Sequence, residues 1–277
     1  MKILTHIIKV VLSILLVIAI SLLIFLKIFN STILNKNYVL EQLSETKYYS
    51  NLKKEVQSSF ENYIAQSGLE ENVIENIVSE EKIKNDTNII LSNIYEGKNE
   101  IIDTTEIEEN LKSNITKSLG DTKLNITQQN AINMYVETIC EQYKETMSHT
   151  KYETKINDII NNINNYMETI EQYTIIAIII IATIIIVINC KKILRGLAQI
   201  GIALTSTGML FIILNIFLNT KIKVQNILIL NETLSTTIRQ IANDILNIFI
   251  RNGIVIFIFG ISLIVLSNII YKKKEEI

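Results

Sequence analysis

Two histidines and two cysteines are the residues best able to hold a metal ion or do redox chemistry here, and their placement keeps them apart. An apolar run over residues 10–26, long enough to cross a membrane, separates His6 from His149, so the two cannot share an ion. His149 sits in a Ser148-His149-Thr150 turn and reads as solvated. Cys140 follows an apolar Ile139 and reads as a small core residue, while Cys190 ends another apolar run. The two cysteines therefore cannot pair within one chain, and a disulfide between copies is the alternative. The acidic pairs Glu70-Glu71, Glu80-Glu81 and Glu108-Glu109 are adjacent in sequence. Neighbours on a helix point about 100° apart, so none forms a carboxylate dyad. Phosphate-cradling glycine loops, a nucleophile elbow, HExxH, CxxC and an EF-hand loop are all missing from the sequence. The expectation is a chain with no catalytic, cofactor-binding or metal residues, and so not an enzyme.

The elements that carry these residues are of two kinds. A mean hydropathy of +0.30 is too apolar for an ordinary soluble domain, and 19% charged residues are too many for membrane spans alone. Four apolar runs supply the first kind. Residues 10–26, flanked by Lys9 and Lys27, exceed the usual ~7–15 residues of a signal peptide core and lack a small-x-small cleavage site, which favours a retained anchor over a cleaved leader. The others cover about 174–188, 197–218 and 254–270, with only residues 191–196 between the second and third.

Charge orders these spans. Residues 30–170 hold 13 Lys and 23 Asp or Glu, a balance of −10, whereas the rest of the chain stands at +8 and the total at −2. Lys2 and Lys9, then Lys191, Lys192 and Arg195, then Lys272, Lys273 and Lys274 all fall on one side of a four-span chain. By the positive-inside rule that side is cytoplasmic, with Lys27, Lys221 and Lys223 dissenting. The fold class expected is an all-α membrane protein: four transmembrane helices with a large all-helical extracytoplasmic domain between spans 1 and 2. Its segments are 1–29 (cytoplasmic N-terminus and span 1), 30–170 (outer domain), 171–190 (span 2), 191–196 (cytoplasmic loop), 197–218 (span 3), 219–253 (outer loop with an amphipathic helix), 254–271 (span 4) and 272–277 (cytoplasmic tail). The localisation implied is the plasma membrane, multi-pass, with both termini cytoplasmic.

The outer segment reads as helix nearly throughout, because apolar residues recur at three- and four-residue spacing. Tyr49, Leu52, Val56, Phe60, Tyr63 and Ile64 form one stripe; Leu69, Val73, Ile74 and Ile77 a second; Ile83, Ile90, Leu91 and Ile94 a third; Ile107, Leu111, Ile115 and Leu119 a fourth. Ile132, Tyr135, Ile139, Tyr143 and Met147 line a fifth, and Tyr152, Ile156, Ile159, Ile160, Ile163, Met167 and Ile170 a sixth. Gly68 and Gly97 read as helix stops, Gly120 with Asp121 as a turn, and Asp103 with Glu106 and Thr150 with Glu153 as capping boxes. No breaker separates the sixth stripe from the second span, so one helix over about 151–190 is expected, acting as a stalk or as a lever that passes movement across the membrane. The stripe Leu234, Ile238, Ile241, Ile245 and Phe249 leads directly into the fourth span; it lies on the membrane surface or, preferably, caps the outer domain.

Polar chemistry is scarce in the spans, where no ionisable residue occupies a middle position, and Asn215 near the outer end with Asn189 and Asn268 near the inner end are the side chains able to hydrogen-bond between helices. Small residues are arranged instead in stripes: Ala198, Gly201, Thr205 and Gly208 in the third span, and Gly253, Gly260 and Ser267 in the fourth. Such stripes let helices approach closely, first within the bundle and alternatively between copies in a homo-oligomer. Five Asn-x-Ser/Thr matches (Asn30, Asn85, Asn114, Asn125, Asn231) all fall outside, but the Ile-, Asn- and Lys-rich composition without proline points to an AT-rich bacterial genome, in which they stay unmodified.

Tyr48-Tyr49, Ser67-Gly68-Leu69, Val78-Ser79-Glu80-Glu81 and Tyr95-Glu96-Gly97, all within residues 38–97, carry a loose resemblance to uncharacterised bacterial four-span envelope proteins. That resemblance implies an N-terminal anchor, a helical outer domain, a hairpin of spans and a last span led by an amphipathic helix, and no activity. The functional expectation is a non-enzymatic membrane protein whose outer domain makes protein or envelope contacts as a sensor, scaffold or assembly factor. Its partners are the lipid bilayer, a protein bound by the outer domain, and in the oligomeric alternative a second copy; the acidic outer domain argues against nucleic acid. The alternative function is a transporter or channel subunit with a pathway built from Thr205, Ser206, Asn215 and their neighbours in an oligomer.

Overall fold

A computed structural model describes residues 2–67, 70–120, 125–147, 150–222 and 232–275. The readings of Gly68, Leu69, Asp121, Ser148, His149, Lys223 and Asn231, and of the Thr150, Tyr152, Glu153 and Ile156 side chains, concern atoms outside that description. The described residues form α-helices and no strand: α1 (Lys2–Ser31), α2 (Lys36–Glu45), α3 (Tyr48–Ser67), α4 (Glu80–Glu96), α5 (Thr105–Leu119), α6 (Ile126–Met147), α7 (Thr150–Ile188), α8 (Ile193–Phe217) and α9 (Glu232–Glu275). Four stretches are long and apolar enough to cross a membrane: Ile3–Ser31, Asn157–Ile188, Ile193–Lys221 and Leu234–Lys273. The chain divides into two compact units, one of Met1–Tyr38, Ile163–Leu230 and Ile238–Ile277, the other of Val39–Asn162 with Asn231–Thr237.

The first unit is a helical bundle ordered by polar contacts at its two ends. At one end the Lys9 Nζ donates to Asn189 Oδ1 at 2.6 Å; at the other, Lys27 pairs with Glu171. α1 and α7 are therefore antiparallel, and Leu16 and Ile185 share a buried cluster on the Lys9 side of the bundle's middle. Lys27 follows Lys9 by 18 residues, and Asn189 follows Glu171 by 18. At ~1.5 Å per residue both intervals span ~27 Å, close to the ~30 Å of a hydrocarbon core. α8 runs parallel to α1, since Gln199 bonds the Lys9 carbonyl (2.7 Å) at one end and Phe211 packs with Ile28 towards the other. α9 runs antiparallel to α8: Asn215 donates to the Leu246 carbonyl (2.5 Å), and Lys192 to the Tyr271 hydroxyl (2.6 Å). Successive long helices thus reverse direction.

The second unit has its own apolar core, in which Phe60, Ile83, Ile107, Leu111, Ile115, Ile139 and Tyr143 are fully enclosed. The stripes expected on α3, α5 and α6 supply most of it, except that Tyr63 turns outward and donates to Gln142 (2.8 Å). Ser79 begins α4 by accepting the Lys82 N–H (3.0 Å), and Gly97 ends it at φ +67, a left-handed conformation that favours glycine.

Three local expectations need correction. Val73, Ile74 and Ile77 are not on an α-helix: residues Glu71–Ile74 make one 3₁₀ turn and Asn76 takes φ +56. Asn114 Nδ2 donates to the Val73 and Glu75 carbonyls (3.0 and 3.2 Å), taking acceptors that a continuing helix needs. The capping box at Asp103 does not form: α5 is capped at Thr104 without a side-chain bond, and the Asp103 Oδ1 accepts from the Thr105 N–H and hydroxyl instead of the Glu106 N–H. On α7, Ile160 is buried while Ile159 and Ile163 are exposed, so that stripe packs over a narrower arc than its spacing implies. The segment before the fourth span leads into it without a break, as its spacing implies: α9 is continuous, Thr237 bonds Thr46 (2.9 Å) in the second unit, and Leu246 and Phe249 are buried in the bundle.

Candidate functional site

Two arrangements of polar side chains stand out, one in each unit. In the bundle, Gln199 on α8 donates to Ser13 Oγ (2.9 Å) as well as to the Lys9 carbonyl, and its Oε1 accepts from Asn189 Nδ2 (3.3 Å). Lys9, Ser13, Asn189 and Gln199 thereby form one network joining α1, α7 and α8. The only hydrogen bond of the Lys9 ammonium among the described residues goes to a neutral amide, and no carboxylate pairs with it. Beside the network a groove of about 720 Å³ runs between α1 and α8. His6, Lys9, Ser13 and Gln199 stand at one end, and Val17, Ile18, Ile202 and Leu210 form the wall beyond. That volume falls within the ~300–1,000 Å³ of ligand sites.

The small residues lie on another face of α8. A Cβ on Gly208 would sit 2.5 Å from the Phe257 nitrogen and 2.6 Å from the Gly253 oxygen; one on Gly260 would sit 2.5 Å from the Thr205 nitrogen. Gly201 faces Ile264 and the Gly260 carbonyl. The structure thus brings Gly201, Thr205 and Gly208 of α8 against Gly253 and Gly260 of α9, at backbone-to-backbone distance. Ala198 is half-buried and Ser267 buried. Within one chain the residues suggested for a transport pathway stand apart. Thr205 faces Gly260, Ser206 lines the groove toward α1, and Asn215 is bonded to Leu246. Lys192 and Arg195 also both donate to the Tyr271 hydroxyl, and both stand over its ring at 5.2 Å.

In the second unit, Asp86 of α4 is buried and accepts from Lys82 Nζ through both oxygens (2.6 Å each) and from the Tyr143 hydroxyl (2.6 Å). Lys82 also lies 5.9 Å from the Tyr143 ring centre. Burial, with the Asp86 hydrogen bond next, drives the Tyr143 pKa far above the usual phenol range, so this hydroxyl stays a proton donor. Each group satisfies the others, and the arrangement holds α4 to α6 instead of offering a reactive atom. The Cys140 thiol is buried and pushed up by that burial, which keeps it protonated and unreactive; Cys190 is exposed. Among the described residues, no three His, Cys, Asp or Glu side chains come together as metal ligands.

Spacing in the sequence missed the Asp86 network and, in the bundle network, pointed only to Asn189, though the other members each left a trace. Asp86 stands three residues after Ile83 and four before Ile90, an acid on the buried face with Lys82 one turn earlier. Gln199 and Ser13 are long-range partners whose polarity inside apolar runs was the available signal. No family model, no curated protein and no solved structure matches this chain.

Proposed function

We propose that the protein is a multi-pass plasma-membrane protein with both termini in the cytoplasm, and that its second unit is an extracytoplasmic domain that makes contacts with a protein or envelope component and carries out no catalysis. The observation that carries the membrane placement is the polar ladder. Lys9–Asn189 and Lys192–Tyr271 gather the three basic stretches at one end of the bundle. Lys27–Glu171 marks the other end ~27 Å away, where the dissenting Lys27 is neutralised by a carboxylate. Support for a contact role comes from the second unit's interior: its buried acid and buried phenol are bonded to each other, while large apolar side chains such as Ile126 and Met134 on α6 stay exposed.

Cys190 offers the topology test without any engineered thiol. In intact cells a membrane-impermeant maleimide leaves Cys190 unlabelled and labels it after permeabilisation; labelling of intact cells refutes the assigned orientation. For the contact role, a photo-crosslinking residue at Ile126 or Met134 yields a discrete adduct in growing cells. Adducts absent across several growth conditions overturn that role.

A further inference from the structure

We propose that the groove between α1 and α8 is a binding site for an anionic glycerophospholipid of the leaflet at the Lys9 end, with the phosphate at Lys9 and His6 and one acyl chain along the apolar wall. The inference rests on the membrane placement above. Three features fix the occupant.

The first is length. From Lys9 to Ile18 the α1 wall covers nine residues, ~14 Å at 1.5 Å per residue. That is about half of a ~30 Å hydrocarbon core, the depth of a single leaflet. A transmembrane helix of a partner would have needed the whole depth, and a soluble ligand would have had no use for an apolar wall facing lipid.

The second is charge. Among the described residues, Lys9 and His6 are the titratable ones lining the groove, and no acidic side chain lines it. Asn189 holds the Lys9 ammonium by one N–H, leaving its other two protons for oxygens of a ligand. A phosphate at this depth meets a cation held in place before binding, the arrangement by which basic pockets between spans take anionic headgroups. The third is the order along the groove. Polar donors (Lys9, Ser13, Gln199) occupy the end nearest the membrane surface, and Val17, Ile18, Ile202 and Leu210 the end nearest the midplane. A lipid has that same order, headgroup outermost and chain inward.

The test is native mass spectrometry of the delipidated full chain in detergent, titrated with dioleoyl phosphatidylglycerol or dioleoyl phosphatidylcholine. Phosphatidylglycerol adducts form at lower concentration than phosphatidylcholine adducts. Lys9→Gln weakens phosphatidylglycerol binding about fivefold, the equivalent of ~1 kcal/mol for one basic residue at an anionic headgroup, and Lys9→Arg retains it. Ser206→Trp fills the apolar wall and lowers binding of both lipids, with helicity unchanged by circular dichroism. Equal binding of the two lipids by the wild-type chain overturns the proposal, as does binding that neither Lys9→Gln nor Ser206→Trp reduces. Efficient cross-linking of Ser206→Cys between copies in membranes also overturns it, by assigning the groove to a second chain. Carbonate extraction reports separately on the membrane placement: a chain released from membranes refutes that reading, whereas a chain retained there with no lipid preference refutes only the site.

Discussion

Replacing Asp86 by alanine removes the acceptor of three contacts, each 2.6 Å long, from a side chain that is 2% exposed. Two donors are stranded. The Tyr143 hydroxyl belongs to a residue with no exposed surface, so it finds no water, a loss of ~1–3 kcal/mol. The Lys82 side chain is 12% exposed, and its ammonium must swing outward or stay unpaired. Breaking a buried pair by deleting one member costs ~3–5 kcal/mol, and the outward route available to Lys82 places Asp86→Ala near the lower end, at ~3–4 kcal/mol. Set against the ~5–15 kcal/mol that holds a domain together, this is a large share. Native-state hydrogen exchange on the full chain in detergent reads it directly: the amides of Ile83 and Ile139 exchange about 100- to 1,000-fold faster, since ~1.4 kcal/mol is a factor of ten. The triple variant Lys82→Met, Asp86→Leu, Tyr143→Phe replaces the whole network by apolar groups and returns to within ~1 kcal/mol of wild type. Asp86→Ala exchange within tenfold of wild type refutes the argument. So does a triple variant as unstable as the single one, because the network then contributes something that apolar packing cannot replace.

Three further outcomes follow from the geometry. Burial, with Glu55 next, raises the Tyr48 pKa to about 12, above its ordinary 10.0. The folded state therefore keeps its proton where the unfolded chain has lost it: stability is unaffected below pH ~10 and falls by up to ~1.4 kcal/mol per pH unit towards pH 12, and Tyr48→Phe flattens that slope in alkaline unfolding followed by circular dichroism. Gly208→Ala forces α8 and α9 apart, since its Cβ meets backbone at 2.5 Å, and costs ~1–3 kcal/mol in thermal unfolding in detergent; Gly196→Ala, with its nearest neighbours at 3.4 Å, stays within ~1 kcal/mol. Cys140 resists maleimide in the folded protein and becomes labelled on the timescale of opening of the second unit, faster in Asp86→Ala, as read by mass spectrometry of labelled peptides.

What the sequence disclosed and what it withheld divide along the range of the interactions. The four apolar helices were legible because hydropathy over some twenty residues is a local property, and α7 was legible as one helix because nothing between Thr150 and Ile188 interrupts it. The stripes of α3, α5 and α6 were legible from their spacing. Residues 71–77 were not, because Asn114, about forty residues away, takes the carbonyls that decide the local backbone. The Asp86 network and the groove were hidden for the same reason. Each depends on the rotation of one helix against another, which puts Tyr143 opposite Asp86 and Gln199 opposite Lys9. Lys27 reads in the sequence only as a charge dissenting from the positive-inside rule, because its partner, Glu171, is far along the chain.

In the bundle, different residues fix different degrees of freedom. The glycines of α8 and α9 fix how closely those helices approach, since a Cβ at Gly208 or Gly260 meets backbone. They do not fix the axial position of α1 against α7, whose shared apolar contact is Leu16 and Ile185 among other aliphatic side chains. A slide by one turn would replace one apolar contact there with another. The two polar rungs forbid it. Lys9 meets Asn189 and Lys27 meets Glu171 over equal intervals of 18 residues, so a slide that breaks one breaks both. Gln199 extends the first rung to α8, which fixes the third helix in the same register. The isoleucine-rich middle can then be nearly featureless, because its alignment is imposed from the ends. The groove follows the seam where α1 and α8 pack, and it begins next to an ammonium that, among the described residues, no carboxylate pairs with.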